Sequence, residues 1–322
     1  MTGATGSIGL QLVADLIVRG FRTRALIRHL SRAEALPRAV EVVEGGLEDV
    51  DAVRRATTDV DVVFHLAAKL HVGNPDESER GAYRRVNVDG TRNLVAAAQR
   101  AGVARFVFFS TIAVYGPSRR GQTLDETSPQ APDSWYAETK AEAEQVVLST
   151  FPAVVLRLAA VYGPEMKGNY PRLVRALARG IFMPIGDGTN CRTVVHENDV
   201  IAAALLAAEH PEARGRIFNV TDGSVHTLRA IIAAVCTAQG RHPPRAYLPV
   251  SLARAAAGIV EDSCRLIGRR SPVGRVTIEK LVENVAVSGD LIQRELGFLP
   301  RVSLSNGWNE TIATMRRNGA TI

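Results

Sequence analysis

Short, almost continuous apolar runs alternate with longer segments of helical periodicity through the first half of the chain. The predicted strands are Thr23–Ile27, Val40–Val43, Asp61–Ala68, Arg105–Phe109 and Val154–Leu158. Apolar runs of this length are typical of parallel strands that are covered on both faces. Because they alternate with helical segments of about 10–15 residues, they predict right-handed βαβ units. The fold class is therefore α/β, with a doubly wound parallel sheet of the Rossmann type.

The pattern changes after about residue 163, where loops rich in glycine and proline join the helical segments. Helical periodicity marks Pro171–Arg179 and Val225–Gln239, and the strand-like run Arg216–Val220 is expected to return to the sheet. This second half predicts a smaller, mainly helical substrate lobe. It would lie over the carboxyl ends of the strands, where open α/β sheets bind ligands.

These patterns predict two units. The dinucleotide-binding domain comprises residues 1–162 together with about 195–222, and the substrate lobe comprises residues 163–194 and 223–322.

Composition excludes several classes of protein. The net charge of +6 arises from 35 arginines and four lysines that form no basic stripe interleaved with aromatic residues, so nucleic-acid binding is not expected. Cys191, Cys236 and Cys264 lie far apart, without the spacing of a metal site, which fits a reducing, cytoplasmic location. No secretory signal and no apolar run of about 18 residues is present, so we expect no transmembrane segment.

The chain opens with glycines at positions 3, 6 and 9, followed by an amphipathic run. Glycines at this spacing allow a tight turn to bring backbone N–H groups against a pyrophosphate at a helix N-terminus. Such a motif ordinarily follows a buried strand, and only Met1 and Thr2 precede it here. We therefore expect a truncated first strand, from a start placed several residues late or from a shortened chain.

Tyr136 and Lys140 form the strongest candidate for chemistry. Residues four apart on a helix share a face, so the phenol and the ammonium are expected to be neighbours. A nearby cation favours the phenolate and lowers the pKa of the tyrosine. A tyrosine tuned in this way can take a proton from an alcohol or return one to a ketone. A surface Tyr/Lys pair without function is the alternative.

Arg28 follows the predicted strand Thr23–Ile27. An acidic residue at this place would bind the ribose 2′-hydroxyl of NAD, whereas an arginine suits the 2′-phosphate of NADP. The position slightly favours NADP, although a solvated surface arginine is the simpler alternative.

Six motifs from residue 2 to residue 164 carry a family resemblance. They are TGATGSIG at 2–9, HLAA at 65–68, NVDGT at 87–91, STIAVYG at 110–116, YAETK at 136–140 and RLAAVYGP at 157–164. With them, the chain resembles, nearly end to end, the extended short-chain dehydrogenase/reductases. Within that family it is most similar to the NAD-dependent epimerase/dehydratase group acting on nucleotide sugars.

The resemblance implies roles for individual residues. Thr111 would hydrogen-bond the reacting oxygen, Tyr136 would be the acid/base, and Lys140 would lower its pKa and hold the nicotinamide ribose. The cofactor, NAD or NADP, would contact Gly3, Gly6, Ser7, Ile8, Gly9, Arg28, Leu47, Ala67, Ala68, Asn87, Tyr136 and Lys140. No metal is implied.

The resemblance also implies a substrate site. Arg192 matches the arginine that binds the substrate diphosphate in sugar-nucleotide epimerases, and its planar fork suits phosphate oxygens. Lys167–Asn169 resembles a loop that contacts the nucleotide, and Arg275 could be a second phosphate contact. The substrate contacts implied are Thr111, Asn169, Arg192 and Arg275, with a substrate that is UDP-linked.

The sequence departs from the family pattern at several positions. Ile112 and Ala113 stand where 4,6-dehydratases carry an Asp-Glu pair, so water elimination is not expected. Ala160 replaces an asparagine common in sugar-nucleotide epimerases, and Gly46 replaces an aspartate usual near the adenine.

Several functions remain open at this point. A nucleotide-sugar 4-epimerase, similar to UDP-glucose 4-epimerase, leads slightly over an NADP-dependent 4-keto-sugar reductase or dehydrogenase. A dehydrogenase acting on apolar alcohols of the 3β-hydroxysteroid type is a further alternative. Arg192 distinguishes this alternative from a nucleotide-sugar enzyme, because an uncharged steroid offers no partner for its guanidinium. A nucleotide sensor without activity is disfavoured by the complete Thr111, Tyr136 and Lys140 set. The resemblance also implies a homodimer formed through helices at about 87–100 and 134–149.

Overall fold

The core of the protein is a parallel sheet. The computed structural model describes residues 1–70, 77–166, 168–267, 271 and 274–322. The sheet follows the order β2-β1 and β3-β4-β5-β9, and every pair is parallel. Its strands are β1 Arg24–Ile27, β2 Glu41–Glu44, β3 Val62–His65, β4 Arg105–Thr111, β5 Val154–Leu158 and β9 Ile217–Val220.

Met1 and Thr2 join the two parts of this sheet. Thr2 forms parallel bridges to Leu26 of β1 and to His65 of β3. The Thr2 N–H donates to the Phe64 carbonyl at 3.0 Å, and the Leu26 N–H donates to the Met1 carbonyl at 2.9 Å. The two residues before the glycine motif thus occupy the central strand position.

Side chains of the central strands alternate between two hydrophobic layers. Val107 and Phe109 of β4 face a cluster that contains Leu12 and Val200, whereas Phe108 faces a second cluster on the opposite side of the sheet. The first layer is covered by α1 and α7, and the second by α2, α4 and α5. Burial on both faces explains the nearly continuous apolar runs in the sequence.

The helices alternate with the strands as predicted. They are α1 Ser7–Val18, α2 Val50–Thr57, α3 Arg80–Arg84, α4 Gly90–Arg100, α5 Trp135–Thr150, α6 Asn169–Ala178, α7 Glu197–Glu209, α8 Leu228–Gln239, α9 Val250–Leu266, α10 Arg275–Val282, α11 Asp290–Leu296 and α12 Leu304–Arg317. Within the described ranges, no helix combines the length and the apolarity that crossing a bilayer requires.

The remaining strands are short and lie beside the main sheet. The parallel pair is β6 Ala160–Tyr162 with β8 Val194–His196, and the antiparallel pair is β7 Cys191–Arg192 with β10 His226–Thr227. Helices α6, α8 and α12 enclose a third hydrophobic cluster around the stacked rings of Tyr162 and Trp308. Helices α9 and α10 share a separate, small cluster that contains Ala253, Ala257 and Ile278.

Most predicted elements are present, with two notable differences at their ends. The run Arg216–Val220 does return to the sheet, because β9 pairs with β5. The strand predicted over Asp61–Ala68 ends at His65, since the Ala67 N–H donates to the Thr2 side chain instead of a neighbouring strand. A π-helical turn, Arg85–Asp89, precedes α4 where the sequence suggested a regular helix from Asn87. The predicted loop residue Lys167 lies outside the described residues.

Candidate active site

Thr111, Tyr136 and Lys140 converge at the carboxyl end of β4. Thr111 is the last residue of that strand, and Ser134 caps α5 by accepting a hydrogen bond from the Ala137 N–H at 3.3 Å. This cap starts the helix so that Tyr136 lies in its first turn, where its hydroxyl shares a hydrogen bond with Thr111. Lys140, one turn further, is buried with its Nζ 3.8 Å from the centroid of the Phe108 ring.

Burial dominates the ionisation of this site. It raises the pKa of Tyr136 to about 12, while the hydrogen bond with Thr111 acts in the opposite direction. Burial also lowers the pKa of Lys140 to about 7, opposed by the negative charge of Glu144. The sequence predicted a lowered pKa for Tyr136, and the structure indicates the reverse, because removing the phenolate from water outweighs the hydrogen bond with Thr111.

The glycine motif forms a close-packed turn into α1. Gly3 has a φ of +72°, and a Cβ on it would lie 2.8 Å from the Ala67 nitrogen. A Cβ on Gly9 would lie 2.1 Å from the Gly3 carbonyl oxygen. No side chain caps α1 at Gly6, and its first turn, which begins with Ser7 and Ile8, holds no acidic residue. The free N–H groups and the absence of negative charge in that turn fit the pyrophosphate of a dinucleotide.

A chain of hydrogen bonds through His65 connects this turn to α4. The Ala67 N–H donates to Thr2 Oγ1 at 3.2 Å, and Thr2 Oγ1 lies 2.7 Å from His65 Nδ1. On its other side, His65 Nε2 lies 2.9 Å from Thr91 Oγ1, which donates to the Asn87 carbonyl at 2.6 Å. Because Thr91 already donates, His65 must carry its proton on Nε2. Burial, followed by the charge of Lys140, lowers the pKa of His65 well below its usual value and keeps it neutral.

Asn87 connects the segment after β3 to the catalytic helix. Its Oδ1 accepts the Lys69 N–H at 2.7 Å, and its Nδ2 donates to Thr139 Oγ1 at 3.0 Å. Ala67 and Ala68, just before Lys69, are half-buried along the same segment. Asn87 therefore holds the predicted cofactor groove against α5.

Two other predicted cofactor contacts lie at the far side of the sheet. Leu47 is buried against Gly90 at the start of α4, and its carbonyl accepts a hydrogen bond from Asn93 at 2.9 Å. Arg28 is exposed immediately after β1 and has no hydrogen bond or ion pair with any residue in the described ranges. Its guanidinium is therefore accessible to a ligand at the carboxyl end of β1.

A buried polar network on α5, next to Lys140, was not predicted. Glu144, on α5, accepts hydrogen bonds from Ser110 Oγ and from Arg157, whose Nη2 lies 2.6 Å from Oε2. Arg157 Nη1 also donates to the Tyr115 hydroxyl at 2.7 Å, which donates to Asn219 at 2.9 Å. Two signals could have revealed it: Glu144 is four residues after Lys140, and Arg157 is the lone charge in an apolar strand.

Arg192 is bound by backbone carbonyls, and its contact with a substrate diphosphate stays a prediction. Its Nη1 donates to the Glu283 carbonyl at 2.6 Å, and its Nη2 donates to the carbonyls of Lys280 and Leu281 at 2.8 and 3.2 Å. The guanidinium thus binds the C-terminal carbonyls of α10, where a cation is favourable. The fork expected to bind a substrate diphosphate is engaged by backbone, and burial lowers the pKa of this arginine.

The other predicted substrate residues lie at the starts of α10 and α6. Arg275 is on the exposed surface, where it pairs with Asp262 at 2.8 Å and Glu261 at 3.4 Å and so links α9 to α10. Asn169 is exposed at the first position of α6. The structure therefore brings Thr111 and Tyr136 together, and the phosphate contacts stay predictions.

Comparisons with known proteins show the family of this chain. The model of the NAD dependent epimerase/dehydratase family matches residues 1–221. The chain is 31% identical to a 4-hydroxy-2-methyl-3-oxo-4-farnesyl-3,4-dihydroquinoline-1-oxide ketoreductase of Stigmatella aurantiaca, over 95% of this chain and 93% of the relative. It is 30% identical to a UDP-glucose 4-epimerase of Vibrio cholerae, over 97% of this chain and 93% of that protein.

A solved structure shows the same fold. The structure of MoeE5 in complex with UDP-glucuronic acid and NAD has a TM-score of 0.77 and 28% identity, covering 98% of both chains. The shared fold, the glycine turn and the extent of these matches lead to one assignment. The chain belongs to the NAD-dependent epimerase/dehydratase family, within the extended short-chain dehydrogenase/reductases, and is an enzyme of that NAD-dependent class.

Proposed function

We propose that this protein reduces a ketone, or oxidises the corresponding alcohol, with Tyr136 as the group that moves the proton. The observation that carries this proposal is the convergence of Thr111, Tyr136 and Lys140 beside the glycine turn. When bound, the nicotinamide supplies or accepts the hydride. The proposal favours an enzyme that completes one transfer and exchanges its cofactor.

The ionisation of the site supports the reductive direction. With a pKa raised to about 12, Tyr136 is a neutral phenol at physiological pH and can donate its proton to a carbonyl oxygen. Thr111 can hydrogen-bond the same oxygen, because its hydroxyl already contacts that of Tyr136. Lys140 would hold the nicotinamide ribose and stabilise the phenolate that remains after transfer.

The contacts of Arg192 support an uncharged substrate over a nucleotide sugar. Two nitrogens of its guanidinium donate to three carbonyls at the end of α10, so a diphosphate would have to compete with these bonds. The similarity to the Stigmatella ketoreductase is consistent with this preference. We infer that the substrate is an apolar ketone or alcohol.

A nucleotide-sugar 4-epimerase is the second candidate. It uses the same proton transfer, followed by rotation of the keto sugar and reduction of its other face. The similarity to MoeE5, whose structure holds UDP-glucuronic acid and NAD, and to the Vibrio 4-epimerase favours it. In that case the bonds of Arg192 to α10 would open when a UDP-linked substrate binds.

A homodimer formed through α4 and α5 is compatible with both candidates and is also proposed.

Replacing Tyr136 with phenylalanine tests the proton-transfer role. The Tyr136→Phe variant should reduce the turnover of a ketone substrate by at least ~10², because the proton donor is lost while the ring remains. Turnover with NADPH or NADH is measured at saturating substrate, and the cofactor Kd should stay near that of the parent protein. The Tyr247→Phe variant, which makes the same change in the substrate lobe, serves as the control. Full activity in Tyr136→Phe would remove this residue from the mechanism.

Replacing Arg192 with alanine separates the two substrate classes. If the residue serves mainly to hold α10, Arg192→Ala should lower the free energy of unfolding by about 1.5–3 kcal/mol, as expected for hydrogen bonds to a charged group. Urea unfolding measures this loss, and UDP titration by calorimetry should show the same weak or absent binding before and after the change.

The exposed Arg179, at the end of α6, provides the matched control as Arg179→Ala. A variant of Arg192 with unchanged stability and at least about tenfold weaker UDP binding, or about 1.4 kcal/mol, would support the 4-epimerase instead.

Arg28 provides a test of cofactor choice. If its guanidinium binds a 2′-phosphate, Arg28→Ala should raise the KM for NADPH about tenfold or more and leave the KM for NADH within about twofold, because a charge-assisted hydrogen bond is lost. Steady-state rates with both cofactors measure the change. Arg38→Ala, at another exposed arginine between β1 and β2, should alter neither. Equal effects on both cofactors would contradict a role in reading the 2′-phosphate.

A further inference from the structure

A cavity in the second half of the chain lies where α6 and α8 end. Its volume is about 410 Å³, which is within the range of small-molecule sites. Leu177, Phe182 and Pro244 give it an apolar side, whereas Arg241 and His242, just after α8, give it a cationic side. None of the residues that line it belongs to the predicted catalytic, cofactor or substrate sets. The cavity is therefore a candidate site of its own.

The charge around this cavity is of one sign. The two segments that form it, residues 169–186 and 228–249, hold six arginines and no acidic residue. The whole chain has 33 acidic residues in 322, so about four would be expected in these 40 positions. Arg179 directly precedes Gly180 in the cavity wall, and both Arg179 and Arg241 are exposed. Their guanidinium groups have no hydrogen bond or ion pair with any residue in the described ranges.

Capping of the two helices does not explain these arginines. Cations often stabilise the last carbonyl groups of a helix, but here backbone N–H groups already do so. At the end of α6, the Gly180 N–H donates to the Leu177 carbonyl at 3.0 Å. At the end of α8, the Arg241 N–H donates to the Cys236 carbonyl at 2.8 Å. Two helix ends together carry about one negative charge, whereas Arg179 and Arg241 each carry a full positive charge. An excess of positive charge thus remains at the cavity.

We propose that this cavity binds an amphipathic anion, a carboxylate or phosphate attached to an apolar chain. Arg241 and Arg179 would hold the anionic head, since a guanidinium presents paired donors to carboxylate and phosphate oxygens. The apolar chain would lie against Leu177 and Phe182 inside the cavity. An uncharged apolar molecule would leave the arginines without a partner, and an inorganic anion would leave the apolar side uncovered.

The surface next to the cavity extends its apolar side. Ile181 and Met183, on either side of Phe182, are 71% and 53% exposed. Large apolar side chains that stay in contact with water beside a cavity are typical of a binding surface. A chain too long for the cavity could continue over these two residues. The inference goes beyond the proposed reaction, because it assigns this ligand to a place that holds none of the residues proposed for chemistry.

Calorimetric titration of the full chain with decanoate and with decyl phosphate tests the proposal. At least one of the two should bind saturably to one site. Decanol, which has the same chain without the charge, should bind at least about tenfold more weakly, because it makes no charge-assisted hydrogen bond. Raising the NaCl concentration from ~50 to ~500 mM should weaken the binding of the anion about threefold or more, because salt screens exposed charges.

Two variants locate the binding. Arg241→Gln should weaken the affinity for the anionic probe about tenfold, and Phe182→Ser should weaken it by a similar factor through the loss of apolar contact. Arg172→Gln, at an exposed arginine in the first turn of α6, is the matched control and should bind as the parent protein does. Both cavity variants should keep the parent kcat for the ketone substrate, which excludes binding of the probe at Tyr136.

Three results would overturn the inference. They are the absence of binding by both anionic probes, decanol binding as tight as that of the anions, and probe binding that both cavity variants leave unchanged. Binding only to phosphatidylglycerol vesicles, without binding of the monomeric probes, would assign the surface to a bilayer and would also overturn it. Each of these results leaves the proposed reaction intact, whereas a protein that binds the probe at this cavity but turns over no ketone would contradict only the proposed function.

Discussion

The buried ion pair between Glu144 and Arg157 fixes the position of α5 on the sheet. Arg157 belongs to β5, Glu144 to α5, and Ser110 at the end of β4 donates to the same carboxylate. Such a pair adds little net stability compared with apolar residues, but removing one partner costs about 3–5 kcal/mol because the other charge remains buried. Any other register between α5 and the strands would separate these two buried charges. The pair therefore fixes the register in which Thr111 and Tyr136 meet.

Polar groups on the opposite side of α5 complete this alignment. Asn87 ties the segment after β3 to Thr139, and the chain of hydrogen bonds through His65 connects that segment to Thr2 and Thr91. Each of these side chains is buried, and every donor that the network uses has an acceptor. The candidate site is thus held by two polar networks, one on each side of Tyr136, rather than by the apolar layers alone.

The sequence was informative where local chemistry decides the structure. Apolar runs predicted the strands, and the glycine spacing and the Tyr136/Lys140 pair predicted the turn and the helix on which they lie. It was wrong where burial decides. The pKa of Tyr136 depends on how much water the fold excludes, and periodicity carries no information on this. The contacts of Arg192 depend on α10, which is more than 80 residues away in the chain.

The small hydrophobic cluster shared by α9 and α10 is separate from the clusters that cover the sheet. This helical pair is connected to the rest of the protein by apolar contacts with Ile185 and Leu248 and by polar links, including the bonds from Arg192 and the contact of Lys280 with Asp133 just before α5. Substitutions within the pair can therefore reshape the end of α10 that lies near the start of α5 without disturbing the parallel sheet. Because substitutions in α9 and α10 need not repack the main core, the same fold for hydride transfer can be combined in evolution with many different substrates.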